Sequence, residues 1–283
     1  MIHLKPKQPD KTLKGKPLRV AVSISARMQA RIQRSVDAMI KTTERAIVRL
    51  FNGEEFSQSY AMDANIGSQA RIVMNGLYQR FDDMFRKIST PISEQMIKET
   101  EKNSATTLKS SLSDIAGALT IPTDFMTATT REIIKGASYE AAHLIKRVPA
   151  KYLDNIANGV YRAIVEGRGL ADIVPLLEKQ KVSVSGWVKN VSMDMVRKTY
   201  TGLNRERMQS IGIEEYRWSH SGGSNHPRPY HRDVLNGKVF RWDDPPFIEP
   251  PGTKNRKKGH VGSLPYCRCN AIPQINFAQR LNK

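Results

Sequence analysis

From Met28 onward apolar residues recur three and four apart: Met28, Ile32, Val36, Met39, Ile40, Ile47 and Leu50. That spacing lays one stripe along an α-helix, with Ser23 or Ser25 as N-cap and Asn52-Gly53 as the stop. Val73, Leu77, Phe81, Met84, Phe85 and Ile88 predict a second helix. Thr90-Pro91 then reads as the cap and first-turn proline of a third. A polar stretch follows until Leu108, Leu112, Ile115 and Leu119 resume the spacing. Beyond Ile121-Pro122 the pattern predicts helices over 133–148, 151–166, 170–179 and about 187–210, with stops at Gly167, Gly169 and Gly212. The methionines and aromatics on these stripes read as core.

At Gly212 the period changes from 3.6 to 2. "YRW" alternates, "VLNGKVFRW" sets Asn236-Gly237 between two strand-like runs, and "YCRCNAI" reads as a short strand. Asn-Gly between such runs predicts a β-hairpin. "DDPP" and "EPPG" are stops, and "TKNRKKG" (253–259) is expected to be a mobile surface loop. The expected fold class is α+β, predominantly α: an elongated helical body, then a small C-terminal module with a β-hairpin and short strands. Four segments are expected: a flexible basic arm over 1–22, an N-terminal helical region over 23–129, further helices over 130–212, and the α+β module over 213–283.

Charge adds a partner class. Lys and Arg number 45 against 27 acids in 283 residues, a formal net charge of +18, and it is spread along the chain. A positive field of this kind favours a polyanion, with nucleic acid the commonest, although charge also serves solubility. No basic stripe interleaved with aromatics appears, so the expectation is non-specific binding of double-stranded DNA. The residues expected to carry it are Lys5, Lys7, Lys11, Lys14 and Lys16 in the arm and Lys254, Arg256, Lys257 and Lys258 in the 253–259 loop. No apolar run is long enough to cross a membrane, and "VAVSI" is too short for a signal peptide.

The two cysteines, Cys267 and Cys269, stand near the end of a chain that has six histidines. They exclude a disulfide framework and suit a reducing compartment. On an extended segment residues i and i+2 share a face, so the thiols point together with Arg268 opposite. His231 with His226 or His260 could complete a zinc site. The same residues could equally form a dry structural knot, with Arg228 on backbone carbonyls. Arg228, His231, Cys267 and Cys269 are expected to converge in either case, so a structural Zn2+ is an optional occupant and no cofactor is required. HExxH, GxSxG and Walker signatures are absent from the sequence, and Asn236 is explained by its turn. Catalysis is therefore not expected.

Taken in order, Trp218, Arg228-x-x-His231, Asn236-Gly237-x-x-Phe240, Pro245-Pro246, Pro251-Gly252 and Cys267-Arg268-Cys269 near Pro273 resemble the Mu F-like family of phage head morphogenesis, or minor capsid, proteins. The resemblance covers roughly residues 130–275. Many members carry an acid where this chain has Ser224, so no role resting on that carboxylate is carried over. The resemblance implies a non-enzymatic component of the virion or procapsid interior, present in the host cytoplasm during assembly. It would act at or near the portal, with the portal and inner capsid as partners, in head assembly, DNA packaging or ejection. The alternative is a metal-dependent nuclease using the C-terminal His/Cys cluster.

Overall fold

A computed structural model describes residues 12–53, 65–116, 122–222 and 227–276. Its elements are β1 (Thr12–Lys14), α1 (Val22–Asn52), α2 (Ile66–Ala116), α3 (Ala128–Lys146), α4 (Val148–Val165), α5 (Leu170–Ser210), β2 (Glu215–Ser219), β3 (Val239–Arg241) and β4 (Asn270–Asn276). The fold is α+β and predominantly α, as expected. The chain forms two compact units: one from residues 1–21, 98–135 and 196–283, the other from 22–97 and 136–195, as far as these are described. We call them the sheet unit and the helical unit.

In the helical unit the first stripe is α1, and all seven of its named residues are buried. Gly53, at φ +68°, supplies the left-handed residue that stops it. Gln33 on α1 donates to Ser185 Oγ on α5 at 2.9 Å, and Tyr78 on α2 donates to Asp154 on α4 at 2.6 Å. Buried Leu77, Phe81 and Phe85 on α2, Tyr152 and Ile156 on α4, and Val184 and Val188 on α5 supply further apolar core positions.

Two expected helix breaks do not occur. α2 runs through Pro91, and α5 runs from 170 to 210 through Pro175. Pro91, which cannot donate to the Lys87 carbonyl, lies on the exposed side, while Ile92, Met96 and Ile97 continue the buried stripe. The polar stretch after it is buried as well. Ser89, Ser93, Thr100 and Ser104 are all 0 % exposed, and the Ser89 and Ser93 hydroxyls bond the carbonyls of Arg86 and Thr90.

The sheet unit holds one antiparallel sheet in the order β1-β4-β2-β3. Tyr216 pairs with Pro273 on β4 and with Phe240 on β3, and Leu13 pairs with Ile275. Below it lies a core of Leu18, Leu108, Leu112, Tyr200, Met208, Tyr216, Trp218, Trp242 and both cysteines, among others. Order therefore begins earlier than Ser23. Leu18 is 2 % exposed and its N–H donates to Ala271 at 2.8 Å, because this basic segment still carries apolar residues that the sheet buries. Lys5, Lys7 and Lys11 lie outside the described residues.

Asn236-Gly237 does turn the chain, but not between two strands. Residues Tyr230–Leu235 wind into a π-helical turn that buries His231 and Leu235. Asn236 (φ −56°, ψ 132°) and Gly237 (φ +80°) then form a type II turn closed by Lys238 N–H to Leu235 O at 3.1 Å. The strand facing β3 is β2. The 253–259 segment lies at the surface and is held at several points. Arg256 stacks on Phe247 at 4.3 Å and donates to Glu249 O and Tyr230 Oη, and Ile248 N–H bonds Lys257 O.

Gly15 is where β1 leaves the sheet beside α2. A Cβ there would lie 2.5 Å from Ser111 Oγ and 3.0 Å from its carbonyl oxygen. The Ser111 hydroxyl also bonds Lys16 O at 2.7 Å, so it cannot swing away freely. Gly15→Ala is expected to cost about 1–3 kcal/mol, read as a lower urea midpoint. An unchanged midpoint would show that β1 does not stay seated in solution.

Candidate metal centre

Three short devices bring His231, Cys267 and Cys269 together. The π-helical turn points the His231 ring inward, where it is 2 % exposed. Leu264-Pro265-Tyr266-Cys267 is a turn closed by Cys267 N–H to Leu264 O at 3.1 Å, with Tyr266 at φ +60°. A left-handed tyrosine costs about 1–2 kcal/mol and reverses the chain just before the cysteines. Cys267 and Cys269 precede β4 rather than lying in a strand as expected, since β4 starts at Asn270. Their sulfurs nevertheless share a side and are buried, at 3 % and 7 % residue exposure.

His231 Nδ1 lies 3.6 Å from Cys267 Sγ and 3.6 Å from Cys269 Sγ, and the three donor atoms all fall within 4.8 Å of one another. Nε2 lies 2.9 Å from the Ile248 carbonyl oxygen. A carbonyl only accepts, so Nε2 carries the proton and Nδ1 presents a lone pair to both sulfurs. One lone pair accepts one thiol proton, not two. Bonds of about 2.3 Å to sulfur and 2.0 Å to nitrogen around a tetrahedral ion set N and S about 3.5 Å apart, so the residues fit zinc. The Ile248 carbonyl is the kind of outer partner that fixes a ligating imidazole.

The surroundings favour negative sulfur. The bond between the two thiols pulls the Cys267 ionisation down and pushes that of Cys269 up together with burial. The two thiols thus hold their first negative charge readily and resist a second. Against this, the Trp218 indole N–H and then the Arg228 guanidinium lower Cys269. Burial, then the neighbouring Arg268, holds the Arg197 guanidinium below its usual range, and both sulfurs act against that. Trp218 closes one side with its ring edge-on to His231 at 5.1 Å.

Arg228 stands at the rim, donating to Pro265 O at 2.8 Å. A space of about 20 Å³, lined by His220, Arg228, His231, Tyr266 and the cysteines, admits about one water beside the sulfurs. His226 lies outside the described residues. His260 is engaged elsewhere: Nδ1 lies 3.2 Å from Tyr216 Oη, and the ring also bonds the Trp242 backbone. Of the residues expected to bind DNA, Lys14, Lys16, Lys254, Lys257 and Lys258 are exposed, Lys258 pairs with Asp244 at 2.8 Å, and Arg256 is held by its stack. Sequence reasoning missed Ile248 and Arg197, because a backbone carbonyl leaves no residue signature and Arg197 lies in a strongly basic helix.

Residues 154–272 match the family described as Phage Mu protein F like protein. A Haemophilus influenzae (strain ATCC 51907 / DSM 11121 / KW20 / Rd) protein, described only as uncharacterized, is 26% identical over 140 residues, which is 50% of this chain and 29% of that protein. The chain thus spans less than a third of that relative's length. No solved structure matches it. The matched segment runs from α4 to β4 and includes Trp218, His231 and both cysteines, the residues of the cluster. Residues 154–272, less than half of the chain, are thus similar to the Phage Mu protein F like family.

Proposed function

We propose that this protein is a phage head morphogenesis component of the minor capsid type, acting at or near the portal in the procapsid interior. The family match over residues 154–272 carries this reading. Its role is structural. Burial of both sulfurs keeps a bulky substrate from them, and the π-helical turn, the Tyr266 turn and the start of β4 are tied together at one point. Zinc held by His231, Cys267 and Cys269 locks that point, with the fourth position filled by water or a further side chain. The net charge of +18 adds non-specific affinity for double-stranded DNA during packaging or ejection.

The test is assembly. Tagged protein expressed with its cognate head genes is expected to co-purify with the portal and to be found in procapsids. If it is missing from procapsids and portal preparations alike, the reading is wrong.

A further inference from the structure

The sheet unit contains a second polar feature that the metal centre does not use. A cleft of about 260 Å³ lies between α5 and the turn His260–Ser263. Lys198, Thr201 and Arg205 follow at intervals of three and four, so they share one face of α5 beside it. Across from them, the turn is closed by Ser263 N–H to His260 O at 3.2 Å and bends at Gly262, φ +79°. A Cβ on Gly262 would come within 2.9 Å of Thr201 Oγ1, so only glycine brings the backbone this close to the helix. Among the described residues no Asp or Glu lines the cleft. Arg205 makes no hydrogen bond or ion pair among the described residues, so its five donors are available to a ligand.

We propose that this cleft binds a phosphate group, and that its occupant is a backbone phosphate of DNA. The chemistry is the fork of Arg205, the charge of Lys198 and the hydroxyls of Thr201 and Ser263, a donor set suited to a tetrahedral oxyanion. Size selects the source. Pockets that enclose a whole small ligand measure about 300–1,000 Å³. A smaller, cationic cleft without an aromatic wall grips a phosphate and leaves sugar and base outside. His260 does not compete as a charge. Burial, then the Arg205 guanidinium, pushes its ionisation down to about 4, so it stays neutral and anchors the turn. The inference rests on the DNA-binding reading above and moves its principal phosphate grip from the 253–259 loop to α5.

The test is the salt dependence of full-length protein binding a short labelled duplex. Removing one cation that neutralises a phosphate should reduce the slope of log affinity against log salt by about 1. Arg205→Gln is expected to weaken binding about threefold and flatten the slope by about 1, with an unchanged melting temperature. Arg205→Lys keeps the charge and should restore most of the slope. Lys135→Gln removes an exposed cation paired with Glu132 and should leave the slope alone. A folded Arg205→Gln variant with wild-type affinity and slope overturns the cleft while leaving the DNA reading intact. If wild type fails to bind DNA even at low salt, both fall. Should inorganic phosphate or pyrophosphate then raise the melting temperature of wild type but not of the Arg205→Gln variant, the source is a small phosphate, and the DNA assignment is wrong.

Discussion

Cys267→Ser is expected to lower the stability of the sheet unit by about 3–5 kcal/mol and to abolish its sensitivity to chelators. The magnitude follows from burial. Cys267 is 3 % exposed in the same core as Trp218, Tyr216 and Leu235, and its sulfur lies 3.6 Å from the His231 lone pair. A serine oxygen is smaller, ligates zinc poorly and leaves a void. A zinc finger without metal is unfolded, but this unit has an apolar core of its own, so its loss is partial. Elemental analysis of protein purified without chelator should find about one zinc per chain, and His231→Ala should behave like the cysteine variant. Metal-free protein that ignores chelator would remove zinc from the account. A Cys267→Ser change costing under about 1 kcal/mol would remove the cluster's structural role as well.

Glu101→Ala is expected to cost about as much for a different reason. Arg207 is 0 % exposed, donates to Ser104 Oγ at 2.5 Å and to the Glu101 carbonyl at 3.2 Å, and forms an ion pair with the Glu101 carboxylate. Among the described residues its Nε already lacks a partner. Removing the carboxylate strands a buried guanidinium, a loss of about 3–5 kcal/mol. Replacing the cation with an apolar chain of similar length removes the charge and its desolvation cost together, so Arg207→Met should be close to neutral. Urea titration of both variants checks the contrast. Equal effects would mean that Glu101 acts through helix packing and not through charge.

The first helix was legible because Met28 through Leu50 form an uninterrupted apolar stripe. α2 was misread as broken at Pro91, a local stop signal that tertiary burial overrides, and α5 between 179 and 187, where the helix continues through the polar run Gln180–Gly186. Thr100 and Ser104 lie in the interior on a helix that reads as polar from sequence. In the cluster, the residue types were readable from their rarity and the shared side from i, i+2 spacing. The supporting geometry was not, because it depends on a π-helical turn, a left-handed tyrosine and the carbonyl of Ile248, none of which has a periodic signature. The family pattern compensated in part, since Trp218, Arg228, His231 and the cysteines keep their order even where local structure departs from expectation.

The strand order β1-β4-β2-β3 has a consequence for synthesis on the ribosome. β4 is made after the other three strands yet sits between β1 and β2, which do not pair with each other. While the chain is being translated, β1 has no neighbour and Trp218 on β2 lacks the Ala271 register partner that it meets in the finished sheet. The sheet can close only once residues 270–276 have left the exit tunnel, and closure must then bring together segments from opposite ends of the described chain. Such long-range pairing is slow, and it leaves unpaired strand edges exposed to neighbouring chains. A nascent chain arrested before β4 should therefore be protease-sensitive in β1 and β2 and should recruit holding chaperones until release.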